Sequence, residues 1–304
     1  MIDFIFDPEN FHLKYFEKDF FHLKSCFDPA AYDWGKFNED FYSIEPALGT
    51  VRLFKDGNIP RSSFQVATQV NDEVAHNFDQ AKVSDILSQG GSMVINRFEK
   101  NSKHVADVCN AVSNLCGHAT VGNAYVTKGG SGTFGKHWDA HCVFAVQLIG
   151  KKRWTLHRPS IDRPLNKQEV EEHVYHEETE IVFDDVIEAG DVLYIPRGWW
   201  HTVTPLTNQP SLHIATGVHT PKVIDYLKWV LGRKMVHDVA FRETLPLASL
   251  DADKIINTIS SFLEAAKNND LFQQYLVEMR IAMSAKKTID FSSIFNEENC
   301  NAST

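Results

Sequence analysis

Two residues in the middle of the 304-residue chain have the types and spacing for metal chemistry, His137 and Asp139. In extended backbone, positions i and i+2 point to the same face, so an imidazole and a carboxylate are presented together. A second imidazole is available in Gly198-Trp199-Trp200-His201, just past a Pro196-Arg197-Gly198 turn. Two histidines and one carboxylate, with the other coordination positions open, form the facial triad of non-haem Fe(II) oxygenases. An H-x-D alone is a weak signal in a chain with 14 histidines, and the competing reading is three unrelated polar residues. The run from Gly190 to His201 is more specific. It reads as a Gly-Asp turn, a buried strand at 192–195, a tight reversal, and a His that faces inward on the next strand.

An iron held this way needs an electron donor for O2. Where that donor is 2-oxoglutarate, the oxo-acid end chelates the metal and the distal carboxylate needs a cation deep in the barrel. Lys152 opens the strand-like run Lys152-Arg153-Trp154-Thr155-Leu156. A cation buried there without a partner is costly, and a bound dicarboxylate would supply one. The alternative is that Lys151, Lys152 and Arg153 form a solvated turn.

The elements that must position these residues read as follows. Residues 1–50 are rich in aromatics and acids, with Phe11, Tyr15 and Phe16 on one face of a short helix. A short strand follows at 50–54, then a turn at 55–58. Residues 72–117 read as mostly helical, with a Gly-Gly break at 90–91, a strand near 92–98 and Gly117 as a C-cap. From 120 to 220 the pattern is β, with strands expected at 120–127, 136–148, 153–157, 180–188, 192–195, 200–205 and 211–218. Such short strands with turns between them fit a sandwich or a jelly roll. An acidic insertion at 169–178 reads as a loop or short helix over one mouth, and the Gly-rich 128–132 as a hairpin loop. After Pro221 the pattern is helical: an apolar stripe through Val223, Tyr226, Leu227, Val230 and Leu231, then helices near 253–267 and 271–285, and a frayed polar tail from 296. The expected class is therefore mainly β with α. A double-stranded β-helix core lies at about 120–220 within a first domain at 1–220, and a helical region follows at 221–304.

At this point the chain resembles a known family. Asn123-Ala124-Tyr125, His137-Trp138-Asp139, the segment from Gln147 to Trp154, the run from Gly190 to His201, and Ser211-Leu212-His213 are similar to the JmjC-type, cupin-like ribosomal oxygenases. The resemblance covers about a third of the chain strongly and extends more weakly to 11–24 and 50–57. It implies that His137, Asp139 and His201 bind Fe(II), and that Lys152 pairs with the distal carboxylate of 2-oxoglutarate. It further implies that Asn123 hydrogen-bonds near the iron-proximal end and that Tyr125 lines the co-substrate pocket. His213 faces inward with a role in or behind that pocket, or is a satisfied core histidine. Two features depart from the family. Gly217, beside Thr216, stands where a Ser is common. Only 84 residues (304 − 220) follow the barrel, all helical in pattern, where better-known members carry a winged-helix-like domain.

The remaining side chains divide more evenly. His141 keeps the parity of His137 and Asp139, so it faces the substrate mouth or is a buried or rim residue. Gln147 is inward; Trp154, Trp199 and Trp200 read as barrel packing, and Arg197 as a solvated turn residue. The 222–245 stripe is either a homodimerisation element or a helix packed on its own barrel.

Net charge is −10, with 40 acidic and 30 basic residues, which argues against direct binding to nucleic acid. The five scattered cysteines, with no Cys-x-x-Cys pair, do not suggest a disulfide framework. No apolar run is long enough to span a membrane, and the N-terminus lacks a basic signal region, so a cytoplasmic location is expected. The expected function is an Fe(II)- and 2-oxoglutarate-dependent hydroxylase acting with O2 on a protein, peptide or amino-acid C–H bond. The alternatives are N-methyl demethylation, hydroxylation of a free amino acid or natural-product peptide, a cupin enzyme that needs no 2-oxoglutarate, and a non-enzymatic metal-binding cupin.

Overall fold

The structure is a computed structural model that describes residues 2, 4–130, 132–165, 180–244 and 252–283. The acidic insertion at 169–178, the end of the last helix at 284–285, the tail from 296, and position 245 of the candidate dimerisation stretch lie outside the described residues. The chain divides into two compact units, Met1–His219 and Thr220–Thr304.

The first unit is a jelly roll built on antiparallel sheets. Its strands are β1 (Phe21–Leu23), β2 (Val51–Phe54), β3 (Asn58–Ile59), β4 (Gln65–Val70), β5 (Glu73–Phe78), β6 (Ser92–Ile95), β7 (Ala119–Thr127), β8 (Cys142–Ile149), β9 (Lys151–His157), β10 (Ile181–Glu188), β11 (Val192–Ile195), β12 (Trp200–Pro205) and β13 (Ser211–His219). The large sheet runs β1-β11-β8-β13-β7-β6-β2-β3, and the small one runs β10-β9-β12. β8 lies between β11 and β13 and is buried along nearly its whole length, which is why its sequence is apolar apart from Gln147. β9 alternates instead. Lys152, Trp154 and Leu156 are buried, while Arg153 and Thr155 turn outward to Asp184.

Two cores result from that alternation. One lies between the sheets and includes Ala145, Trp154, Leu156, Ile187, Leu193 and Trp199. The helices of this unit are α1 (Pro8–Lys14), α2 (Trp34–Tyr42), α3 (Gln80–Ser88) and α4 (Lys103–Cys116). The other core covers the outer face of the large sheet, where α1 and α4 add Phe11, Val105, Val108 and Val112. Phe11 meets Tyr194 edge-on at 5.2 Å, and Tyr194 stacks on Phe21 at the same distance. α4 ends on Gly117, whose left-handed backbone (φ 69°) lets its N–H bond the Ser113 carbonyl.

The β region and its turns lie close to the positions expected from sequence, with three corrections. The segment 136–148 is not one strand. β8 begins at Cys142, and His137 is joined to His201 by an isolated antiparallel bridge. Residues 73–78 are not helical but pair with β4 through a two-residue turn, in which Asn71 takes the left-handed backbone (φ 55°) that asparagine tolerates. Arg197 is not solvated; it is one-tenth exposed and pairs with Glu17 at 2.8 Å.

The second unit contains α5 (Val223–Arg233), α6 (Ala252–Ala266) and α7 (Asn269–Met283), as well as short turns of helix after α5. Its core gathers Tyr226, Val230 and Tyr275, and the Tyr226 hydroxyl donates to the Ala266 carbonyl at 2.8 Å. Among the described residues, no helix is long and apolar enough to cross a membrane.

Candidate active site

His137 reaches its place because its backbone is tied to the start of β12. His137 N–H donates to the His201 carbonyl at 3.1 Å, and His201 N–H donates back at 2.7 Å. Two residues on, Gly198 N–H donates to the Asp139 carbonyl at 2.8 Å. Gly198 makes that approach with φ +86°, and a side chain there would lie 2.6 Å from Pro164 Cδ. The extended segment and the reversal before β12 therefore bring His137, Asp139 and His201 together. Each offers one ligand atom, and all three lie within 4.8 Å of one another.

The tautomers of both imidazoles follow from their backbone partners. His137 Nδ1 is 2.8 Å from the Gly135 carbonyl, and His201 Nδ1 is 3.1 Å from the Trp199 carbonyl. A carbonyl only accepts, so each Nδ1 carries the proton and each Nε2 presents a lone pair. His201 Nε2 sits 3.6 Å from Asp139 Oδ2. Two Nε2 donors and a carboxylate suit a divalent first-row metal with open positions.

The triad opens on a cavity whose walls include Tyr125, Phe134, Lys152, Trp154 and His213. Lys152 is 1% exposed. Its Nζ donates to the Tyr125 carbonyl at 3.0 Å and to His213 Nδ1 at 2.9 Å, both neutral acceptors. Burial without a counter-charge lowers its pKa from 10.5 to about 7. Burial, and then the neighbouring Lys152, holds His213 well below the usual histidine range. The His213 ring is thus neutral, its Nδ1 accepts from Lys152, and its remaining proton is on Nε2. It stacks on Tyr125 with centroids 4.8 Å apart and rings 4° from parallel. Burial, with the Asp139 charge second, pushes the Tyr125 hydroxyl up to about 12.

Of the side chains singled out from sequence, His137, Asp139, His201, Lys152, Tyr125 and His213 meet in this cavity. Asn123 does not line it. It shares the β7 face of Tyr125, but its Oδ1 accepts the Arg97 N–H at 2.9 Å. His141 is also absent from the walls. Its ring packs over Gly217, at 3.0 Å from where a Cβ would stand, and lies 5.6 Å from His219. Gln147 is fully buried and donates to the Ile149 and Leu212 carbonyls. Trp154 does more than pack the barrel, since it stacks on His201 and meets His213 edge-on. Lys151 and Arg153 are the solvated residues of that strand, paired with Glu188 and Asp184. Sequence reasoning missed Phe134, which stands 42% exposed at the mouth, 5.6 Å from His137. Its only signal was its position three residues before His137.

Comparison with known proteins matches residues 93–226 to the JmjC domain, a span that holds every side chain of the cavity named above. Residues 93–226 carry a JmjC domain. Over 137 residues it is 35% identical to the bifunctional lysine-specific demethylase and histidyl-hydroxylase NO66 of Drosophila mojavensis, covering 43% of this chain and 15% of that protein. Over 171 residues it is 32% identical to ribosomal oxygenase 1 of Danio rerio, covering 54% of this chain and 31% of that protein. The chain thus spans less than a third of the length of these curated relatives. Among solved structures it is similar to the ribosomal oxygenase YcfD of Escherichia coli in complex with cobalt and 2-oxoglutarate. The TM-score there is 0.57 at 18% identity, covering 92% of this chain and 72% of that one, a likeness of fold.

Proposed function

We propose that the chain is an Fe(II)- and 2-oxoglutarate-dependent oxygenase that hydroxylates a carbon of a polypeptide side chain. His137, Asp139 and His201 would hold the iron, and Lys152 would pair with the distal carboxylate of 2-oxoglutarate. Bound there, the metal and co-substrate supply oxidising power from O2, with succinate and CO2 as co-products. The observation that carries this reading is Lys152, a cation 1% exposed in the wall of the triad's cavity with only neutral partners. Such a group is costly unless an anion enters to pair with it. A non-enzymatic cupin, or one that works without an oxo-acid, has no use for it.

The other side chains prepare the site. Lys152 donates to the incoming carboxylate, and its two present acceptors hold the amine in position. His213, locked with its proton on Nε2, offers a second donor inside the cavity. The Tyr125–His213 stack and Trp154 wall the cavity against water, which strengthens the charge pairing within it. The carbonyls of Gly135 and Trp199 fix the two triad imidazoles before any metal arrives. Asn123 lies on the same strand face; its Oδ1 is taken by the Arg97 N–H, so its proposed contact at the iron-proximal end falls to its Nδ2 donors.

A polypeptide substrate is supported by the names of the relatives, a histidyl-hydroxylase and lysine-specific demethylase and a ribosomal oxygenase. We further infer that the first unit carries the reaction and that the stretch 222–245 of the second pairs two copies. The test is to incubate the protein with Fe(II), 2-oxoglutarate and a proteolytic digest of cellular protein. The expected result is a peptide that gains one oxygen atom only when 2-oxoglutarate is present. Loss of a methyl group instead would make the enzyme a demethylase, and no 2-oxoglutarate-dependent change would remove the polypeptide substrate.

A further inference from the structure

The sheet face that floors the cavity continues past the barrel. Register aligns His213 with Tyr125, Tyr125 with Val94, and Val94 with Arg52. In the next row Thr127, a cavity wall residue, aligns with Ser92, and Ser92 with Phe54. Arg52 and Phe54 therefore stand on the same face as the co-substrate site, two strands away, about 10 Å at ordinary strand spacing. The rings connect them to the mouth. Phe134 meets Phe54 edge-on at 5.3 Å, and the Arg52 guanidinium lies 5.0 Å above the Phe54 ring.

Beyond Arg52 is a surface cleft bounded by Leu48, Asn58 and Arg61. Both arginines are exposed, and among the described residues neither pairs with a carboxylate. Arg52 donates to Asn58 Oδ1 at 3.0 and 3.3 Å, and Arg61 to the Ala47 carbonyl at 3.3 Å. Glu45, on the same stretch of chain, is turned to the Ala47 N–H at 3.2 Å. Gly49 leaves room for Arg61, since a Cβ there would lie 2.7 Å from its Nη1. Each guanidinium has five N–H donors in a fork that matches a carboxylate, so most of this donor capacity is uncommitted. The chain as a whole has 40 acidic residues against 30 basic, yet these two cations are left to neutral oxygens. Leu48, 74% exposed, gives the cleft an apolar side against which the stem of a bound side chain can pack.

We infer that this cleft is a specificity subsite for an Asp or Glu side chain of the polypeptide substrate, about three residues from the one that enters the cavity. The spacing follows from about 10 Å of sheet against about 3.3 Å per extended residue. The inference rests on the oxygenase reading above for the polypeptide nature of the substrate.

A display library of peptides with ten randomised positions tests it, selected in parallel on the wild-type chain and on the R52E/R61E double variant. Both substitutions fall on exposed side chains, and matched thermal unfolding of the two proteins checks that the fold is kept. The expected result is at least threefold enrichment of Asp and Glu on the wild-type chain. On the double variant that enrichment is lost and replaced by Lys and Arg. Absence of acidic enrichment on the wild-type chain, or equal enrichment on both proteins, overturns the subsite. The selection needs neither iron nor 2-oxoglutarate, so its failure is distinct from a failure of turnover, which would sink the oxygenase reading instead.

Discussion

Lys152 is where the chemistry is most exposed to test. Replacing it with Met keeps the stem and removes the charge, leaving any bound dicarboxylate unpaired. Truncating one partner of a buried charge pair costs about 2–5 kcal/mol, so 2-oxoglutarate affinity should fall on the order of 100-fold by calorimetric titration. An unchanged affinity would take Lys152 out of this role. The amine also sets a pH dependence. Above about 7 the empty cavity holds neutral Lys152, and a bound carboxylate favours the charged form. Affinity for 2-oxoglutarate should be greatest below about 7 and fall as pH rises through it, and titrations in buffers of different ionisation enthalpy should reveal proton uptake above that pH. For the ligand-free protein, the unfolded chain binds a proton that the buried amine has given up between about 7 and 10.5. The Lys152 contribution to stability therefore rises with pH across that window. His137 and Asp139 were legible from sequence because i, i+2 spacing in extended backbone assigns them one face, whereas the spacing at Lys152 left a buried cation and a solvated turn open, and only the family resemblance gave it a role. Asn123 and Phe134 were not resolved that way. The Asn123 bond to Arg97 and the Phe134 contact with Phe54 join segments distant in sequence, and no local pattern encodes them.

The elements that hold the site depend on a few turns. Asp191, in the Gly-Asp turn before β11, accepts the Ser25 and Glu188 N–H groups at 2.9 and 3.0 Å and lies 3.1 Å from His22 Nε2. It thereby ties β1 and the end of β10 to the strand leading to His201. Asp191→Ala leaves two backbone donors without their acceptor and should cost about 2–4 kcal/mol in denaturant unfolding. A loss under about 0.5 kcal/mol, the range of an ordinary surface change, would contradict that role. At the mouth, Gly130 has φ +90° and a Cβ there would lie 2.1 Å from the Gly90 carbonyl oxygen. Gly130→Ala should cost about 1–3 kcal/mol from strain, a fall of roughly 2–10 °C in Tm. An unchanged Tm would show that the loop readily rearranges. The sequence carried the strands and turns of the barrel clearly, but not β5. Val74 and Phe78 are four apart and fit one helix face, while strand pairing with residues 65–70 is non-local and outweighed that spacing.

For the whole molecule, the second unit leaves Val223, Leu231, Val236 and Val239 exposed, although a stripe of this kind is ordinarily covered. If 222–245 pairs two copies, sedimentation velocity should give a species of twice 34.5 kDa, and Leu231→Glu should shift it toward the monomer. A wild-type chain that sediments as a monomer at micromolar concentration would withdraw the dimer. The division into a β unit and a helical unit was visible in the change of period near residue 220, whereas the partner of the helical stripe was not, because periodicity marks an apolar face without saying what covers it. The central claim is that His137, Asp139, His201 and Lys152 form one iron and 2-oxoglutarate site. Its most direct test is succinate released from 2-oxoglutarate with Fe(II) and O2, measured for the wild-type chain and for Asp139→Ala. Iron-dependent succinate from the wild-type chain, with none above background from the variant, is the predicted result. Equal succinate from both, or none from either, would contradict it.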